Sequence, residues 1–157
     1  METITHNIRK LDPQYIVGLV DGEGSFHINI RKWPKNRNGY SVAAEFSMDI
    51  VHDDLEILER LKITLNCGSI IPKRQRNPRW RPQAKFHVTN LQDINRIIIP
   101  FFKEHPPQIP TKRKDFEIWC KIVEMLNSKE HLTQDGLRRV FELRSQFSRH
   151  SQRSPQF

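Results

Sequence analysis

The stretch Tyr15-Ile16-Val17-Gly18-Leu19-Val20-Asp21-Gly22-Glu23-Gly24-Ser25-Phe26 constrains this chain more than any other. Asp12-Pro13 ahead of it reads as an N-cap followed by proline at the first helical position, which predicts a helix from residue 13 to about residue 22. The run is apolar on every side and is interrupted by Gly18, the pattern of a helix buried all round. A glycine in mid-helix costs about 1 kcal/mol against alanine, and close approach of another backbone is the usual compensation. Gly22 and Gly24 end the helix and leave Asp21 and Glu23 at its carboxyl end, where the dipole disfavours negative charge unless a cation is near. The pattern by itself leaves two readings open, a polar C-cap turn entering a strand or a metal-holding turn. A calcium loop opening at Asp21 fails, because its twelfth position is Lys32 where a bidentate Glu is required.

The other segments carry a strong charge bias. The 157 residues include 26 Lys and Arg against 18 Asp and Glu, a net charge of +8, and the basic residues are bunched. Bunched cations point to a polyanionic partner, nucleic acid first. No run nears the length of a membrane span and no long helix has basic and apolar faces, so the sequence gives no sign of a membrane partner. Cys67 and Cys120 lie in apolar contexts without C-x-x-C spacing and read as reduced core residues. Met1 to Leu11 has no apolar core of a secretory signal and is expected to form an N-terminal arm.

From Ser25 to Lys32 polar and apolar residues alternate, with Phe26, Ile28 and Ile30 on one face and Ser25, His27, Asn29 and Arg31 on the other, which predicts a half-buried strand. A basic hairpin loop from Trp33 to Tyr40 carries Lys35 and Arg37 and turns at Asn38-Gly39. The returning strand places Val42, Ala44, Phe46, Met48 and Ile50 inward and Ser41, Ala43, Glu45, Ser47 and Asp49 outward. Asp53 or Asp54 is expected to start a helix through Leu55, Leu58, Leu61 and Leu65, with Gly68 as its stop. A second hairpin runs from Ser69 to about Gln75, over a tip at residues 76–82, and back from Gln83 to Thr89. Between Lys73 and Lys85 lie Arg74, Arg76, Arg79 and Arg81 and no acid; with Trp80 interleaved, this tip reads as a nucleic-acid contact rather than a merely solvated loop.

Asn90 caps a third helix that Pro100 should end. A proline-rich connection leads to Thr111, read as the N-cap of a fourth helix opening Lys112-Arg113-Lys114. Three cations in a first turn oppose the helix dipole, so their placement calls for a reason outside that helix. Thr133 caps a last helix, and residues 148–157 form a polar tail beyond a single domain over residues 12–147. The order is α+β, αββαββα followed by two C-terminal helices, with one helix-plus-hairpin unit repeated. Four antiparallel strands with apolar residues on one face would take their helices there and leave the other face bare, carrying His27, Asn29, Arg31, Ser47, Lys85 and His87. A ribbon of that kind can enter the major groove of DNA.

Ile16-Val17-Gly18-Leu19-Val20-Asp21-Gly22-Glu23-Gly24 resembles the nine-residue LAGLIDADG motif, with Glu for the second Asp, and the element order resembles the LAGLIDADG homing-endonuclease fold. Phe46 to Ile50 leading into Asp54 to Leu58, the strand entry at Gly68-Ser69-Ile70, and Thr111 to Phe116 extend the resemblance over nearly the whole chain. It implies an endonuclease that uses Mg²⁺ or another divalent metal and cuts both strands of a long pseudo-palindromic DNA site. It further implies metal held by Glu23 and the Gly22 carbonyl, Asp21 supporting the helix ends at a seam, and Lys112 beside the reacting phosphate. The family uses two copies of the motif and this sequence holds one, which implies a homodimer joined through Tyr15, Val17, Gly18, Val20, Asp21 and Gly22. DNA contacts are expected from Ser25, His27, Asn29, Arg31, Lys32, Lys35, Arg37 and Ser47 in the first hairpin. The second hairpin would supply Lys73, Arg74, Arg76, Arg79, Trp80, Arg81, Lys85 and His87.

Two positions depart from the pattern of some members: Ile50 stands where they carry a solvent-orienting Gln, and Asp54 lies near the place of a basic residue. Asp49 or His52 could carry the solvent network instead. The same fold also serves intron RNA maturases, which would use the basic hairpins without needing Glu23, and could serve a DNA-binding regulator that has lost cutting. Genes of this family commonly sit in introns of mitochondrial, chloroplast or microbial genomes, so the resemblance implies an organelle or a microbial cytoplasm.

Overall fold

A computed structural model describes residues 9–148 of the chain. Helix α1, Pro13–Glu23, opens as its sequence dictates: the Asp12 carboxylate accepts the Gln14 N–H at 2.8 Å and Pro13 fills the first turn. Strands β1 (Gly24–Lys32) and β2 (Tyr40–Val51) form the first hairpin. A single 3-10 turn, His52–Asp54, leads into α2, Leu55–Leu65, and β3 (Ser69–Pro72) and β4 (Gln83–Val88) form the second hairpin. All four strands make one antiparallel sheet in the order β1-β2-β4-β3, so the two hairpins meet along β2 and β4.

The alternation in the strands decides which face is covered. Phe26, Ile28, Ala44, Phe46, Met48, Ala84, Phe86 and Val88 are all buried under the helices. Phe26 is the hub of this core, with ring centres 5.4 Å from Phe46, 5.4 Å from Phe102, 5.0 Å from Phe116 and 5.3 Å from Trp119. The Trp119 indole N–H, buried with its ring, donates to the His27 carbonyl on the outer strand β1 at 3.0 Å. No helix of the described residues is long and apolar enough to cross a membrane. Burial pushes both thiols, Cys67 and Cys120, up to about 11, which suits unreactive core positions.

Several boundaries differ from expectation for local reasons. The third helix does not stop at Pro100. Helix α3 spans residues 91–104, α-helical at Leu91–Asp93, widened to a π turn at Ile94–Ile98, and α-helical again at Ile99–Glu104. The Ile99 N–H reaches back five residues to the Ile94 carbonyl, and this widening lets a helix pass a proline that lacks an N–H and crowds the preceding turn. Helix α4, Pro110–Asn127, is capped by Ile109 rather than Thr111, because Pro110 takes the first-turn position. Helix α2 ends on Asn66 in the left-handed conformation (φ 56°), two residues ahead of Gly68. The last helix α5, Gln134–Arg144, begins at Thr133 as its sequence predicts, with the Thr133 hydroxyl accepting the Gly136 N–H at 3.0 Å.

Helix α1 is buried on one side only within a single chain, not all round. Ile16, Val17 and Val20 point inside, while Tyr15 is 51% exposed and Gly18 and Gly22 lie on the same outer face. Val17 and Val20, expected at a subunit seam, are therefore committed to the interior of their own chain. The expected arm and tail lie outside the described residues except at their inner ends, where Leu11 is buried and Ser148 is hydrogen-bonded to Asp115.

Candidate functional site

The carboxyl end of α1 opens into a cleft of about 310 Å³ lined by Gly22, Glu23, Gly24, Ser25, Phe26, His27, Asp49, Lys112, Asp115 and Phe147. Four elements build it, the terminus of α1, the start of β1, the end of β2 and the opening turns of α4, with Phe147 beyond α5 closing one side. Gly24 makes the sharp junction possible, since a Cβ there would stand 2.7 Å from Val20 Cγ1 and 2.9 Å from the Val20 backbone. Glu23 is exposed at the mouth of the cleft. Lys112 reaches across from α4, and its ammonium donates to the Gly24 carbonyl.

That reach supplies the outside reason for the cationic first turn of α4. Lys112 serves the cleft, and Arg113 donates to the Pro107 carbonyl at 2.9 Å and to the Gln108 carbonyl at 3.2 Å, fastening the preceding loop. Asp21 turns the other way from Glu23. Its carboxylate accepts the backbone N–H of Gln108 at 3.0 Å and of Ile109 at 3.3 Å, so it ties the end of α1 to the start of α4. The acids of the motif thus separate in geometry: Glu23 faces the cleft, and Asp21 holds together the elements that carry Glu23 and Lys112.

A divalent metal fits this end of the chain as half of a site. A carboxylate and the last-turn carbonyls of a helix are hard oxygen donors, the type that Mg²⁺ and Ca²⁺ take. No group of three or more His, Cys, Asp or Glu gathers for a metal among the described residues. One chain would supply Glu23 and the Gly22 carbonyl, and phosphate oxygens, water or a second chain would have to supply the rest.

Sequence reading singled out neither Asp115 nor Phe147 for the cleft, and left Asp49 as one of two candidates for the solvent network. Asp49 lines the cleft and Ile50 does not, because alternation along β2 sends Ile50 toward the core, opposite Ala84. The parity of the strand, with Asp49 outward and Ile50 inward, carried that signal. Asp115 stands one turn beyond Lys112 and accepts the Ser148 N–H at 2.9 Å and its hydroxyl at 2.8 Å, which brings Phe147 against the cleft. His52, the other candidate for the solvent network, is exposed on the 3-10 turn and does not line the cleft.

The predicted DNA-contacting residues fall into four groups. Ser25 and His27 join the cleft. Asn29, Lys85 and His87 surround Glu45 on the open face of the sheet, where Ser47 is only 8% exposed and presents little to a partner. Arg31, Lys32, Lys35 and Arg37 are exposed at the far end of the first hairpin. At the second hairpin Lys73, Arg74, Arg76, Arg79, Trp80 and Arg81 line a hollow of about 660 Å³, with Trp80 62% exposed. Two of these cations have acidic partners, Lys73 with Asp49 at 2.5 Å and Arg81 with Asp53.

The family description "LAGLIDADG endonuclease" matches residues 16–123. The chain is 31% identical over 136 residues to a probable intron-encoded endonuclease 2 of Neurospora crassa, covering 86% of this chain and 29% of that protein. It is 26% identical over 117 residues to the homing endonuclease I-ApeII of Aeropyrum pernix, covering 74% of this chain and 65% of that protein. The crystal structure of the homing endonuclease I-TnaI superposes with a TM-score of 0.82 at 25% identity, over 91% of this chain and 92% of that one. Meganuclease I-SmaMI bound to uncleaveable DNA superposes with a TM-score of 0.82 at 33% identity, over 92% of this chain and 47% of that one. The chain therefore spans under a third of the Neurospora protein and about half of the I-SmaMI chain.

Proposed function

This chain belongs to the LAGLIDADG endonuclease family, and on that premise we propose that it is a homodimeric, divalent-metal-dependent homing endonuclease cutting both strands of a long pseudo-palindromic DNA site. The observation that carries this reading is the cleft at the end of α1, where exposed Glu23 and a tethered Lys112 face one another across a space open to the sheet. An unsheathed carboxylate at a helix carboxyl end is unfavourable until a cation arrives.

A divalent ion bound there would supply the charge that activates water and offsets charge on the attacking and leaving oxygens of a phosphodiester. The chain's residues do the rest. Glu23 and the Gly22 carbonyl would hold the ion. Lys112, anchored on the Gly24 carbonyl, places a positive charge where the pentacoordinate phosphorus centre of the transition state gathers negative charge. Asp21 keeps α1 and α4 in register so that these groups stay opposed. Ser25 and His27, next along β1, line the same cleft and lead onto the open sheet face that would lie in the major groove.

The dimer follows from the outer face of α1. A Cβ built on Gly18 or Gly22 meets nothing within 4 Å, so neither glycine serves packing inside the chain. Both lie beside exposed Tyr15 on a face where a second α1 could approach closely. Coverage of about half of the I-SmaMI chain agrees with a unit present once here. Two strands need two cleavage sites, and each chain brings one Glu23.

The test incubates purified protein with a duplex carrying the intron-less insertion sequence, in Mg²⁺ and in Ca²⁺, beside Glu23→Gln. Linear product from wild type in Mg²⁺ alone is expected. Tight binding with no product under any condition contradicts the nuclease. Enhanced splicing of a precursor RNA that survives Glu23→Gln would instead support a maturase.

A further inference from the structure

Glu45 is an acid that the cleavage site does not use. It lies mid-strand in β2 on the open sheet face, yet it is 7% exposed, and its burial is achieved by polar neighbours. Asn29 Nδ2 donates to its Oε2 at 2.9 Å, Lys85 is ion-paired with Oε1, and His87 Nδ1 stands 3.7 Å from the same oxygen. Asn29 Oδ1 in turn lies 2.9 Å from His27 Nε2. Strand register brings this cluster together from three strands: His27 is opposite Glu45, and on β4 His87 and Lys85 are opposite Ser47 and Asp49, the next two positions after Glu45 on the same face of β2. Burial pushes the Glu45 carboxyl up, but the hydrogen bond and charge of Lys85, the Asn29 amide and His87 outweigh it and hold it below the usual carboxylate range.

A carboxylate in the middle of a surface meant for a polyanion is repulsive unless it does something that repays its presence. Here its partners are the side-chain types that read base edges: an amide and an ammonium, each with donors left over after one is given to Glu45. A lysine free to swing neutralises any phosphate in reach, whereas one held by an ion pair keeps a fixed place.

We infer that Glu45 is a positioning residue for base readout: it fixes Asn29, Lys85 and, through Asn29, His27 in one array facing the duplex, and it withholds the Lys85 charge from phosphate contacts. The inference rests on the proposed reading of this face as the DNA interface. It makes Glu45 a device that exchanges non-specific affinity for sequence discrimination.

The test selects bound sites from a randomised duplex DNA library with the full chain and sequences them, then measures binding of a random-sequence duplex against salt concentration. Glu45→Gln keeps the shape and removes the charge. It should lose base preference at the pairs beneath the sheet centre, keep it at pairs read by the hairpin tips, and steepen the slope of log affinity against log salt by about one as Lys85 engages a phosphate. Adding Lys85→Gln to Glu45→Gln should restore the wild-type slope without restoring the lost preference. Lys85→Gln alone, which does not depend on Glu45→Gln folding, should lose the same preference and leave the slope unchanged. Wild-type selectivity and slope in Glu45→Gln, or a slope that falls by one in Lys85→Gln alone, overturns the role of Glu45 while leaving the DNA reading intact. A wild-type chain that selects no sequence overturns the DNA reading and the Glu45 role with it.

Discussion

Glu23, on α1, and Glu45, on β2, belong to elements in contact and live under opposite conditions. Glu23 ends a helix whose dipole repels it, is exposed at the mouth of a cleft, and faces a lysine already tethered to a backbone carbonyl. Glu45 sits in a strand, almost sealed, with Asn29, Lys85 and His87 gathered around it. A carboxylate without its counter-charge is placed to receive one from outside, and a carboxylate supplied with its own is placed to hold its neighbours still. The difference teaches that the charge of a residue says less about its task than the charges arranged around it.

The comparison breaks first at Glu23. Glu23→Gln should lower the cleavage rate about 10³-fold, roughly 4 kcal/mol of transition-state stabilisation, while thermal stability and DNA binding stay within error of wild type. A variant that unfolds would mean Glu23 is a structural acid like Glu45. Next in size is the outer face of α1. Gly18→Leu meets empty space within the chain and should gain up to about 1 kcal/mol of helix propensity, yet weaken self-association at least ~10²-fold in sedimentation experiments. Unchanged association would show that the two Glu23 clefts are not brought together through this face.

Asp21→Asn should behave unlike either glutamate. Weakening the hydrogen bonds to Gln108 and Ile109 should cost about 1 kcal/mol in thermal unfolding and slow cleavage about tenfold, because Lys112 moves with the loop. Equal effects from Asp21→Asn and Glu23→Gln would erase the division of labour between them. The smallest effect sharpens the Glu45 side. Its carboxyl is held below the ordinary value of 4.5 by its partners, so its stabilisation is present above that pH and lost as pH falls through the lowered folded value. Glu45→Gln should therefore cost about 1 kcal/mol near neutrality, and the gap in melting temperature from wild type should close in acid.

The two glutamates were not equally legible in the sequence. Glu23 stands in a short linear pattern, helix cap to glycine turn, and the local chemistry of Asp12, Pro13, Gly22 and Gly24 was enough to place it. Alternation in the strands likewise gave both hairpins and the face each residue takes. Glu45 showed up only as an acid on an outward face, because its partners come from β1 and β4 and their register is set by how two hairpins meet. The same limit hid the contact of Ser148 with Asp115. Local rules misled where a second rule overrode them: a π turn carried α3 through Pro100, and Pro110 displaced Thr111 from its cap. Val17 and Val20 were assigned to a seam since hydrophobicity marks burial without saying by which chain.

On the proposed reading, one chain holds half of a double-strand-cutting site. The mass of the protein on a duplex selected by it, measured by sedimentation in Ca²⁺ so that both remain intact, tests this most directly. Two chains per duplex are predicted. One chain per duplex, at saturation and on a site that wild type then cuts through both strands in Mg²⁺, would contradict it.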